Sequence, residues 1–93
     1  MKSIGLVLDL KDNAFISGEL PSEIGSLDGL SSLDISGCQF SGSLPSEIGG
    51  LSNLVTINVE RNALSGPIPF EITNLHNARY LSMSFNAFSG QIP

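Results

Sequence analysis

Few side chains in this sequence could do chemistry, and most of them recur at a fixed spacing. Cys38 is the single cysteine and His76 the single histidine, each in a different setting. Cys38 takes the place of an asparagine that otherwise recurs as Asn13, Asn62 and Asn86, while His76 lies in an N-L-H-N loop. Those settings put the thiol inward and the imidazole on another side, so no Cys–His or Ser–His–Asp set is expected and the chain is read as no enzyme. Glu23, Glu47 and Glu71 repeat at a step of 24 and read as a solvated acidic stripe, so neither metal nor cofactor is expected. What remains is recognition chemistry. Tyr80, Arg61 and Phe85 are residue types that anchor interfaces by burying aromatic area or placing a rigid cationic fork.

These residues are positioned by a repeat. The stretch LVTINVERNALSGPIPFEITNL, beginning at Leu54, spells L-x-x-I-x-V-x-x-N-x-L-S-G-x-I-P-x-x-I-x-x-L. LSSLDISGCQFSGSLPSEIGGL, from Leu30, spells it 24 residues earlier, and ARYLSMSFNAFSGQIP, from Ala78, begins it again. A fixed period of this length is the mark of a solenoid. Aligning the S-G pairs divides a single domain, 1–93, into coils 5–29, 30–53, 54–77 and an incomplete 78–93. The first coil is one residue longer, with Ile16 read as an insert that makes a bulge or wider turn.

Each coil opens with period-two alternation, the sign of a short strand with one buried face. Leu8 and Leu10, Leu33 and Ile35, Ile57 and Val59, and Leu81 and Met83 point inward. The intervening residues form outward columns: Val7, Ser32, Thr56 and Tyr80; Asp9, Asp34, Asn58 and Ser82; Lys11, Ser36, Glu60 and Ser84; then Asp12, Gly37, Arg61 and Phe85 just past the strand. Thr56, Asn58, Glu60, Arg61, Tyr80, Ser82, Ser84 and Phe85 are the candidate partner-binding residues, with Arg61 and Phe85 close enough for a cation–π contact.

Asn13, Cys38, Asn62 and Asn86 are expected to turn inward as a ladder that satisfies backbone groups left unpaired where the chain bends. Phe15, Phe40, Leu64 and Phe88 follow as a second apolar spine. The proline of each L/I-P pair opens a short turn, anchored by Ile24 with Leu27, Ile48 with Leu51 and Ile72 with Leu75.

This pattern resembles the plant-type leucine-rich repeat of receptor-like kinase and receptor-like protein ectodomains and of polygalacturonase inhibitors. The S-G-x-I-P segment is specific to that subclass. The resemblance implies a β-rich α/β fold: a right-handed solenoid with a parallel concave sheet, 3₁₀ or helical turns on the convex side, and a second short strand near S-G-x-I-P. It also implies a protein or peptide ligand bound on the concave face, and an extracellular or cell-surface location. A structural segment without its own ligand, and an enzyme inhibitor, are the other roles it allows.

Composition bounds the rest. Four Lys+Arg against nine Asp+Glu give −5, no footprint for a phosphate backbone, so nucleic acid is not an expected partner. No run approaches the ~20 apolar residues of a membrane span, so no membrane insertion by this chain is expected. The opening MKSIGLVL is broken by Asp9 too early for a signal peptide and reads as a strand. The exposed faces of the first and last coils would leave apolar area open, so the chain alone is expected to be marginal, self-associating through those ends, or a segment of a longer array.

Overall fold

The computed structural model describes residues 5–90 and Pro93. Its elements repeat in one order: a strand, a second strand, then a 3₁₀ turn. The first strands are β1 (Leu6–Asp9), β3 (Leu30–Asp34), β5 (Thr56–Asn58) and β7 (Tyr80–Ser82). They form a parallel four-stranded sheet in the order β1-β3-β5-β7. The second strands are β2 (Ser17–Glu19), β4 (Gln39–Gly42), β6 (Ala63–Pro67) and β8 (Ala87–Ser89), which form a second parallel sheet in the same order. The architecture is a leucine-rich repeat solenoid.

The register of the first sheet follows the repeat. Val7, Ser32, Thr56 and Tyr80 lie side by side, as do Asp9, Asp34, Asn58 and Ser82. Between them, Leu33, Ile35, Ile57 and Val59 are fully buried. The alternation arises because the two faces of a strand meet opposite environments, core and solvent.

The second sheet steps differently. Its partners are 22 residues apart, where those of the first sheet are 24 or 25 apart, so Gly18 pairs with Phe40, Gly42 with Leu64 and Gly66 with Phe88. This register corrects the first coil. By it Ile16, not Phe15, is the counterpart of Phe40 and Leu64, and Ile16 packs on the core while Phe15 is 98% exposed. The extra residue lies in a tight turn, closed by the Ile16 N–H donating to Asn13 O at 3.0 Å, which throws Phe15 outward. Phe40 and Leu64 are buried and Phe88 half-buried.

The 3₁₀ turns Ser22–Ser26, Ser46–Gly50 and Phe70–Asn74 stack on the opposite side. Pro21, Pro45 and Pro69 stand one position before the turns, in extended conformation, rather than inside them. Each proline carbonyl still accepts the first turn's hydrogen bond, from Ile24, Ile48 and Ile72. Gly25 and Gly49 let successive turns touch: a Cβ there would lie 2.6 Å from Glu47 O and 2.5 Å from Glu71 O.

The core is one cluster running through all the coils. Ile48, Leu51, Leu54, Ile57, Val59 and Leu64 are fully buried, whereas Leu81 in the last coil is 49% exposed. Burial therefore peaks in the middle coils. No helix among the described residues is long and apolar enough to cross a membrane.

Candidate recognition surface

In every coil the chain leaves the first sheet through a left-handed residue: Asp12 (φ 61°), Gly37 (68°), Arg61 (56°) and Phe85 (60°). Only glycine adopts this region freely, and other L-residues cost roughly 1–2 kcal/mol there. The Arg61 bend is held by backbone bonds to the coils on both sides. The Arg61 N–H donates to Ser84 O at 3.1 Å, and Glu60 O accepts from Gly37 N–H at 3.0 Å.

Beneath that bend lies the ladder. Asn62 Nδ2 donates to Ile35 O at 2.8 Å, and to Val59 O and Glu60 O, both at 3.1 Å; its Oδ1 accepts from Phe40 N–H at 3.0 Å. Asn86 repeats the set one coil on, with Nδ2 on Val59 O, Met83 O and Ser84 O and Oδ1 accepting from Leu64 N–H. One amide thus bridges two coils and clamps the bend that carries Arg61 or Phe85. Asn13 Nδ2 makes the within-coil bonds, to Leu10 O and Lys11 O.

Cys38 fills the same place with half the function. Its Sγ–H points to Leu10 O at 3.1 Å and Ser36 O at 3.8 Å, reproducing the donor side. A thiol is a poor acceptor. The Ile16 N–H, counterpart of Phe40 N–H, bonds instead to Asn13 O within the inserted turn. The longer first coil and the missing asparagine therefore fit each other. Cys38 is a buried free cysteine and His76 lies exposed in the hand-over loop.

On the outer face, the Arg61 guanidinium carbon stands 5.7 Å from the centre of the Phe85 ring. Phe85 is 74% and Tyr80 64% exposed, two large apolar rings at the solvent side of one sheet edge. Thr56, Asn58, Glu60 and Ser82 are half-buried around them, and Ser84 is exposed. Not every outward side chain is free. Asp9, Asp34 and Asn58 each accept, through Oδ1, the N–H two residues ahead, at 3.1, 3.0 and 3.1 Å. They close the strand ends as well as facing outward.

A second asparagine pair escaped the sequence reading. Asn53 Nδ2 donates to Asp28 O at 3.0 Å and Asn77 Nδ2 to Ser52 O at 2.8 Å, tying each hand-over loop to the one before. The signal was available, since Asn53 and Asn77 stand one period apart. Glu23, Glu47 and Glu71 are exposed on the 3₁₀ turns, and no group of metal-ligating residues occurs among the described residues.

Comparison with curated proteins found no match. Among solved structures, the BIR3–SERK2 complex from Arabidopsis thaliana is similar over 91% of this chain and 45% of that one, with 41% identity and TM-score 0.88. The plant peptide hormone receptor RGFR1 in complex with RGF2 is similar over 94% of this chain and 14% of that one, with 40% identity and TM-score 0.92. The Arabidopsis receptor kinase HAESA, in complex with the peptide hormone IDA and the co-receptor SERK1, is similar over 89% and 14%, with 37% identity and TM-score 0.84. The chain thus spans less than half of each of these. The Leucine Rich Repeat profile matches residues 6–27, 29–51 and 53–75. With most of its length so matched, and with this register of strands and buried leucines, the chain belongs to the leucine-rich repeat family.

Proposed function

We propose that this chain recognises a protein or peptide through its first sheet, at the cell surface, with Tyr80, Arg61 and Phe85 as anchors. Thr56, Asn58, Glu60, Ser82 and Ser84 form the polar surround. The observation that carries this is the exposure of two large rings on the edge strand's surface, Tyr80 at its start, 64% exposed, and Phe85 just past its end, 74% exposed and stacked 5.7 Å from Arg61. Large rings left in water are a standing cost that a partner relieves, and aromatic and arginine side chains carry most interface energy. The similar structures with peptide hormones and co-receptors bound support a partner of this class.

The test selects peptides from a displayed random library on the immobilised chain and measures their affinities by calorimetry. Tyr80→Ala with Phe85→Ala should weaken selected peptides by about 100-fold, the loss of at least ~2 kcal/mol expected of hot-spot residues. Glu47→Ala with Glu71→Ala, on the opposite side, should leave affinity unchanged. Peptides indifferent to the concave pair would overturn the proposal.

A further inference from the structure

We infer that the partner of the first sheet is an extended peptide laid across its strands, with a lysine or arginine over Asp9 and Asp34 and an apolar side chain four residues away, over Tyr80 and Phe85. This rests on the first sheet being the recognition surface and adds the polarity of what that surface takes.

The row Asp9, Asp34, Asn58 and Ser82 carries the inference. Asp9, Asp34 and Asn58 do the same structural work, each Oδ1 accepting the N–H two residues ahead. Asn58 shows that an uncharged amide suffices for it. The negative charge on Asp9 and Asp34 is therefore surplus to the fold. It is also unfavourable, because strands ~4.8 Å apart set two like charges side by side. Little within the chain cancels it. Lys11 stands 3.9 Å from Asp9 with its own side chain 59% exposed, an ion pair of small worth, and no salt bridge to Asp34 occurs among the described residues. Asp12 adds a third carboxylate at the bend, where Gly37 shows that no side chain is needed.

The charge balance reverses along the sheet. Over residues 6–12 and 31–37, from strand to bend, Asp9, Asp12 and Asp34 stand against Lys11 alone. Over residues 55–61 and 79–85, Arg61 and Arg79 stand against Glu60 alone, and there the exposed rings lie. A cationic side chain is thus drawn to the first two coils and repelled from the last two, while an apolar one finds area to cover only beside Tyr80 and Phe85. That fixes which end of the ligand goes where. Distance fixes the spacing. The middle of the Asp9–Asp34 pair lies about 12 Å from β7 at ~4.8 Å per strand. An extended peptide rising ~3.3 Å per residue spans this in about four residues, and an even step keeps both side chains on the sheet side.

The probe is a displayed library of short peptides with one lysine and one phenylalanine fixed four residues apart, in either order, and all other positions random. The tightest binders are resynthesised and titrated by calorimetry. Replacing their lysine by glutamate, or moving it one position along, should weaken them about fivefold, the upper end for exposed charge pairs. Asp9→Asn with Asp34→Asn should cost the lysine peptides about as much, remove their advantage over the glutamate versions, and leave the melting temperature no lower. Glu47→Gln with Glu71→Gln changes net charge equally on the opposite side and should leave that advantage intact. Lysine peptides no better than glutamate ones, an advantage that survives the asparagine pair, or one lost equally to the glutamine pair would overturn the inference. Tyr80→Ala with Phe85→Ala separates the two levels. Peptides weakened by that pair yet indifferent to their lysine overturn the polarity and leave the surface standing; peptides indifferent to both overturn the surface and the inference with it.

Discussion

At the scale of single residues, structural roles and the proposed recognition role sit on neighbouring positions and can be separated by substitution. Phe85 holds a left-handed φ of 60° with a bulky side chain, at a bend where Gly37 shows that glycine suffices. Phe85→Gly should therefore leave stability unchanged or raise it by up to ~1 kcal/mol, the left-handed cost removed less the added chain entropy. Binding to peptides selected on the wild-type surface should fall at the same time. A melting curve and a calorimetric titration of the one variant check both halves, and a large fall in melting temperature would show that the ring is structural. Asn62 beside it should behave in the opposite way. Asn62→Ala leaves Ile35 O and Phe40 N–H without their partner in a part-buried site, a loss on the order of 2–6 kcal/mol at 1–3 kcal/mol for each orphaned group. Urea unfolding should show it with an unchanged m-value.

At the scale of elements, the unit of explanation is the junction between coils. Cys38 and the first coil's extra residue form one such unit, because the inserted turn supplies the acceptor for Ile16 N–H that a thiol cannot. Deleting Ala14 alone should destabilise the chain by about 1–3 kcal/mol, the cost of an unsatisfied backbone donor. Combined with Cys38→Asn the cost should shrink, since the introduced amide offers Oδ1 to Ile16 N–H as Asn62 offers it to Phe40 N–H. A double-mutant cycle read by chemical denaturation measures the coupling, and strict additivity would separate the two features. The convex junction is as exacting. Gly49→Ala places a methyl 2.5 Å from Glu71 O, a backbone atom that cannot swing away, so ~1–3 kcal/mol of strain is expected in the same measurement. Much of this scale was legible in the sequence. Strand columns could be read because alternation reports which face is buried, and the ladder position because asparagine recurs at the bend. The choice between Phe15 and Ile16 could not be read, as both are apolar and a hydrogen bond decides which is looped out. Nor could the strand-closing role of Asp9, Asp34 and Asn58, since alternation says where a side chain points and not what it bonds. For the proposed recognition surface, the columns named the residues that the strand register sets side by side, but the left-handed bend that presents Arg61 and Phe85 has no sequence signal beyond Gly37.

At the scale of the molecule, stability should be graded along the solenoid, because each coil contacts only its neighbours and the sum is one-dimensional. The middle coils have a partner on both sides, and their inward residues Ile35, Ile57 and Val59 are fully buried; Leu81 in the last coil is half open. Ile57→Ala should cost about 2–5 kcal/mol, the full core loss, whereas Leu81→Ala at the equivalent position should cost roughly half as much, in proportion to the area it covers. Native-state hydrogen exchange gives the finer test. The Ile35, Val55 and Val59 amides, which donate to Asn58 O, Ser31 O and Ser82 O across coil junctions, belong to the interior and should exchange last. The Leu6 and Leu10 amides, bonded to Gly29 O and Asp34 O at the first edge, should exchange sooner although their bonds are as short, 2.9 and 2.7 Å. Hydrogen-bond length would not separate the two groups; the number of neighbouring coils would.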